Sequence, residues 1–63
     1  MIFTIYIGYD TSYVIIKNKS PEFFQKFGGV FDHVGTRYLH QSMQIIADWC
    51  NNELGEECLF EVE

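Results

Sequence analysis

The chain has 63 residues, nine of them acidic and four basic, and a formal charge of −5 at pH 7. A chain this short buries only about 60% of its unfolded surface, so we expect one domain over residues 1–63. The four cations are scattered, which excludes the basic patch of a direct nucleic-acid binder. The excess of acidic residues instead favours a protein partner with a basic surface.

The first predicted element is a β-hairpin over residues 2–18. Two runs of β-branched and aromatic side chains flank residues 10–12, an Asp-Thr-Ser sequence that favours a turn. The register stays open, because a three-residue loop pairs Ile7 with Ile15 and a two-residue loop pairs Ile7 with Ile16. Both faces of the hairpin carry apolar side chains: Ile2 and Tyr6 on one, and Phe3, Ile5 and Ile7 on the other.

A short helix is predicted next, over residues 21–27. Ser20 provides a capping hydroxyl, and Pro21 suits the first helical position. Two consecutive glycines then end the helix. Residues 30–35 show no clear periodicity, and we predict a loop there.

The longest predicted element is a helix over residues 37–54, which ends at Gly55. Thr36 is its predicted cap, and Asp32 is the alternative. At about 100° per residue, one apolar stripe runs along this helix and is expected to cover the sheet. The stripe consists of Leu39, Met43, Ile46, Ala47, Cys50 and Leu54. Three further apolar side chains widen the apolar arc to about 200°, twice the width typical of a surface helix.

The last predicted element is a strand over residues 58–62, in which alternation places Cys58, Phe60 and Val62 on the core side. The element order ββααβ predicts an α+β fold: a small three-stranded antiparallel-type sheet with the long and short helices on one face. The first strand is the most apolar of the three, and we expect it in the centre of the sheet.

The three side chains that widen the helical arc, Tyr38, Ile45 and Trp49, are predicted to form the centre of a partner-binding surface. Tyr and Trp are enriched at the energetic centres of protein interfaces. The alternative is that the aromatic side chains of residues 23–27 cover the arc from within the chain. The sequence does not decide between these two interpretations.

Acidic residues concentrate near the C-terminal end, and we assign four of them to the same partner: Glu53, Glu56, Glu57 and Glu61. Their field would steer association with a basic surface. The plainer interpretation is that these charges solvate a helix end and protect an edge strand from aggregation.

No catalytic or metal-binding motif stands out, so we predict no cofactor and no metal. Cys50 and Cys58 are interpreted as reduced, buried thiols, because both fall on predicted core faces of a chain expected in the cytoplasm. Their spacing and that of His33 and His40 fit no zinc motif. A disulfide between the two cysteines is the alternative. A catalytic pair of Asp32 and His33 is disfavoured because adjacent residues seldom point at one another.

The sequence therefore predicts a small acidic protein-binding module, an inhibitor or antitoxin-like accessory protein that occupies a site on a larger protein. A bias toward Ile, Phe, Tyr, Asn and Lys is typical of AT-rich coding and suggests a phage or mobile-element origin, with an anti-defence role. The alternatives are a structural homodimer whose helices pack across a two-fold axis and, more remotely, a small enzyme using Asp10, His33 or His40. With no secretory leader and no membrane span predicted, we expect a cytoplasmic location, in the host if phage-encoded.

Overall fold

The computed structural model describes residues 1–63 and confirms an α+β fold with two helices on one face of a sheet. No helix combines the length and the apolar composition needed to cross a membrane. The elements are β1 (Ile2–Ile7), β2 (Tyr13–Lys17), α1 (Pro21–Phe27), β3 (Val34–Gly35), a 3₁₀ turn (Thr36–Tyr38), α2 (Leu39–Trp49), a π-helical turn (Cys50–Leu54) and β4 (Leu59–Val62).

The sheet is mixed and has four strands in the order β3-β2-β1-β4, which corrects the predicted three-stranded antiparallel-type sheet. β1 lies between β2 and β4, in the central position that its apolar composition predicts. The fourth strand, β3, comes from the segment predicted as a loop, where Val34 pairs with Val14. β4 runs parallel to β1, because the chain returns through the helical layer and enters the sheet beside Met1.

The hairpin has a longer loop than predicted, and both predicted registers are wrong. Ile7 pairs with Val14, and the Gly8 N–H donates to the Tyr13 carbonyl at 2.7 Å. Residues 9–12 therefore form a four-residue loop. A Cβ atom at position 8 would collide with the Tyr13 carbonyl oxygen and ring, which explains the glycine.

Helix α1 spans the residues predicted for the short helix. The residues predicted to begin and end this helix do so. The Ser20 hydroxyl accepts a hydrogen bond from the Phe23 N–H at 3.3 Å, and Pro21 occupies the first turn. At the other end, the Gly28 N–H donates to the Phe24 carbonyl at 2.7 Å, which closes the last turn.

The predicted helix over residues 37–54 is divided into the 3₁₀ turn, α2 and the π-helical turn, so α2 itself is shorter than predicted. Thr36 does not cap it, because the Thr36 hydroxyl donates to the Ser12 carbonyl at 3.3 Å and ties the helix start to the hairpin loop. The end at Gly55 is confirmed: this glycine adopts a left-handed conformation, and its N–H donates to the Cys50 carbonyl.

The core lies between the helices and the face of the sheet turned toward them. Val62, predicted on the core side, is 70% exposed even though its strand neighbour Ile5 is buried. It ends an edge strand, beyond the cover of the helices. The buried apolar residues are Phe3, Ile5, Val14, Ile16, Phe23, Phe31, Val34, Ile46, Trp49 and Cys50.

Candidate functional site

Trp49, predicted on an exposed partner-binding surface, lies in the core. Its side chain is only 7% exposed, and its ring centroid is 5.2 Å from that of Phe27 and 6.1 Å from that of Phe23. Helix α1 therefore covers the C-terminal part of the apolar arc of α2, and the expectation of an exposed Trp49 is corrected. Phe24 points outward, at 70% exposed, and adds nothing to this cover.

Tyr38 and Ile45, the other two residues of the predicted surface, remain exposed at 54% and 45%. Both line a shallow groove of about 360 Å³ between α2 and the segment that leads into β3. The exposed Val30 lies at its rim, and the buried Phe31 and Val34 lie at its base. We call this surface the α2 groove.

The local structure explains why the α2 groove exists. Tyr38 ends the 3₁₀ turn directly before α2, Ile45 lies about two turns further along, and both line the same groove. The Arg37 guanidinium carbon lies 5.5 Å from the centroid of the Tyr38 ring, in cation–π geometry. α1 does not extend this far along α2, so nothing from the short helix covers these two side chains.

The two residues considered for acid–base chemistry face different neighbours. The Asp32 carboxylate lies 4.0 Å from the Lys17 Nζ, whereas the His33 ring stacks on Tyr13 with centroids 4.1 Å apart. His33 lines the α2 groove and forms no side-chain hydrogen bond with Asp32, the acid considered as its partner. The geometry therefore assigns these side chains to packing and solvation of the loop.

The predicted acidic residues do not gather at the α2 groove. The Glu53 carboxylate pairs with the Lys26 Nζ at 3.3 Å, whereas Glu56, Glu57 and Glu61 form no ion pair. These three acids lie at the β4 edge of the sheet, and the groove lies at the β3 edge. Three inter-strand spacings separate the edges by about 14 Å, beyond the Debye length of about 8 Å at physiological salt.

The two cysteines are free thiols; Cys50 is buried and Cys58 is half-buried. Burial raises the pKa of the Cys50 thiol, and it raises the pKa of Cys58 to about 11. Both groups are therefore protonated at neutral pH, and a protonated thiol is a poor nucleophile and metal ligand. No group of three or more His, Cys, Asp or Glu side chains is arranged to hold a metal ion.

Sequence reasoning missed a second apolar surface, on the side of the sheet turned away from the helices. We call it the open sheet face and define it by Ile2, Thr4, Tyr6, Ile15 and Leu59. Ile2 and Leu59 are cross-strand neighbours on β1 and β4, and Tyr6 pairs with Ile15 of β2. The sequence did indicate this surface, because both faces of the predicted hairpin carry apolar side chains. The register was unknown, however, so the residues of β2 that share a face with those of β1 could not be identified.

Comparison with known protein families, with characterised proteins and with solved structures yields no match. Function is therefore inferred from the geometry of this chain alone.

Proposed function

We propose that this chain is a small acidic protein-binding module, an inhibitor or antitoxin-like accessory protein that occupies a site on a larger protein through its α2 groove. The proposal depends on one observation. Tyr38 and Ile45 are both exposed beside the same groove, although so short a chain has few apolar side chains available for its core. Exposed aromatic and branched side chains around a groove are typical of interface centres.

The size and shape of the α2 groove favour a protein partner over a small ligand. The groove is shallow and sits at the lower end of the volumes found for ligand sites, about 300–1,000 Å³. Its rim residues Val30, Tyr38 and Ile45 project outward, and they would insert between side chains of a partner. Arg37, beside Tyr38, adds a cation that can pair with a partner carboxylate at the edge of the contact.

The C-terminal acids have a separate role in this proposal. Glu56, Glu57 and Glu61 are unpaired and exposed, so their field extends into solvent and attracts a basic partner. Because they lie beyond the Debye length from the groove, they act on the rate of association rather than on the contact itself.

Partner capture tests the assignment of the groove. Wild-type protein and the variants Tyr38→Ala and Ile45→Ala, all immobilised, would be exposed to the same lysate, and the proteins retained would be identified by mass spectrometry. We expect any partner retained by the wild type to be lost or reduced at least about tenfold in both variants, as for residues at an interface centre.

Phe24→Ala is the matched control, because Phe24 is an exposed aromatic residue on α1, away from the groove. It should retain the partner at wild-type level. The proposal is wrong if Tyr38→Ala and Ile45→Ala, shown to be folded by circular dichroism, retain the same partner as strongly as the control does.

A further inference from the structure

Charge at the open sheet face is separated between its two edges. Thr4, at the centre, pairs with Lys17 on β2 and with Glu61 on β4, so a cation and an acid lie on opposite sides of it. With strands about 4.8 Å apart, the two Cα atoms lie about 10 Å from each other across β1. Lys19 beside β2 and Glu63 beyond β4 extend the same separation.

We propose that the open sheet face binds the same face of a second copy of this chain, across a two-fold axis through Thr4 that runs parallel to the strands. This axis places β2 of one copy opposite β4 of the other. Each Lys17 then faces Glu61 of the other copy, and two ion pairs flank an apolar centre formed by Ile2 and Tyr6 of both copies.

The charges select this axis over the alternative. A two-fold axis perpendicular to the strands would bring Lys17 against Lys17 and Glu61 against Glu61. Like charges placed opposite each other at an interface are strongly unfavourable. Only the axis parallel to the strands places a lysine opposite a glutamate at both edges of the interface.

The side chains involved are available for these contacts. The only ion pair of Lys17 within the chain is the 4.0 Å contact with Asp32, and both side chains are mostly exposed. An exposed pair contributes very little to stability, so its loss costs little. Glu61 is exposed and forms no ion pair within the chain.

The area of the open sheet face sets the strength of association. Strands β1, β2 and β4, of six, five and four residues, present a flat area of roughly 240 Å². A standard stable interface takes about 800 Å² from each partner. We therefore expect a dimer that dissociates in the micromolar range or above, and the experiment has to cover high protein concentrations.

This association does not involve the α2 groove, although it shares Glu61 with the acids that attract the partner, and it uses a different surface from a dimer made by the helices. In the sheet-to-sheet dimer, the helical layers of both copies face outward, so each α2 groove stays accessible.

Charge reversal tests the proposed pairing. The mass of wild-type protein, Lys17→Glu, Glu61→Lys and a 1:1 mixture of the two variants would be measured by sedimentation from about 10 μM to about 1 mM at low salt. We expect the wild type to approach twice the 7.4 kDa chain mass. Each variant alone should associate at least about tenfold more weakly. The mixture should recover dimer, because the carboxylate introduced by Lys17→Glu faces the ammonium introduced by Glu61→Lys, and the other edge keeps the native pair.

Glu22→Lys is the control, since it changes the net charge as Glu61→Lys does but lies on α1, on the opposite side of the sheet. It should associate as well as the wild type. A wild-type protein that stays at the single-chain mass up to the highest concentration overturns the proposal, as does a mixture no more dimeric than its components. Partner capture by Lys17→Glu should be unchanged, which separates this test from that of the α2 groove.

Discussion

The Trp49 indole meets the Phe27 ring edge-on, with centroids 5.2 Å apart and ring planes inclined at 79°. This contact joins the two helices and removes the largest side chain of α2 from the surface. Edge-to-face pairs of this kind add about 0.5–1.5 kcal/mol beyond the area they bury. It also leaves the α2 groove, formed around Tyr38 and Ile45, as the exposed remainder of the apolar arc of α2.

Replacement of Trp49 by alanine should come close to unfolding the protein. Removing a buried aromatic side chain costs about 3–5 kcal/mol, and a chain of this length has little more than that in total. Urea denaturation followed by far-ultraviolet circular dichroism measures the loss. Tyr38→Ala, at an exposed position, should cost less than about 1 kcal/mol; equal losses in both variants would contradict the burial of Trp49.

Phe23 and Phe24 offer a matched pair of neighbours on α1. Phe23 is buried and contacts the rings of Phe3 and Trp49, whereas Phe24 faces solvent. Phe23→Ala should therefore destabilise the fold by about 3–5 kcal/mol, and Phe24→Ala should stay within about 0.5 kcal/mol of the wild type. Thermal denaturation of both variants checks this. If Phe24→Ala melts at as low a temperature as Phe23→Ala, then the face of α1 that carries Phe23 is not the one packed on the core.

Gly8 should tolerate alanine less well than Gly55. At Gly8 a methyl group would collide with the Tyr13 carbonyl, so the end of the hairpin has to shift. At Gly55 nothing lies within 4 Å, and only the left-handed backbone is strained. Chemical denaturation should show a loss of about 1 kcal/mol for Gly55→Ala and a larger one for Gly8→Ala. The reverse order would argue against the four-residue hairpin loop.

The stability of the fold should fall at alkaline pH because of Cys58. Burial raises its pKa from 9.0 to about 11, so the unfolded chain loses the thiol proton first. Between these values the folded state binds more protons than the unfolded state, and its stability decreases as pH rises. Below pH 9 this contribution is constant. Urea midpoints at pH 8 and at about pH 10 measure the fall.

Cys58→Ala isolates the contribution of this thiol from every other effect of the change in pH. The variant should lose less stability than the wild type between the two pH values. If both proteins show the same fall, the thiol is not the cause. Reaction of the wild type with iodoacetamide at pH 7 should also be slow until urea is added, because both thiols are protonated in the fold.

The sequence by itself determined the local elements. Side-chain periodicity distinguishes helix from strand, and the Ser20 cap, the glycines after Phe27 and Gly55 mark helix ends through local hydrogen bonds and backbone conformation. The α+β class and the central position of β1 follow from the order and apolarity of these elements. The helix ends depend on residues within a few positions of each other, and the fold class depends only on the order of the elements along the chain.

Only the tertiary structure decided which elements meet. Period-two alternation is the same for parallel and antiparallel neighbours, so the direction of β4 and the two-residue β3 could not be deduced. An apolar arc on a helix likewise indicates that the arc is covered, but it does not indicate which part of the molecule covers it. Helix α1 covers Trp49 and ends before it reaches Tyr38. This packing joins residues that are distant in the chain, so no local pattern shows which part of the arc is buried and which part is exposed.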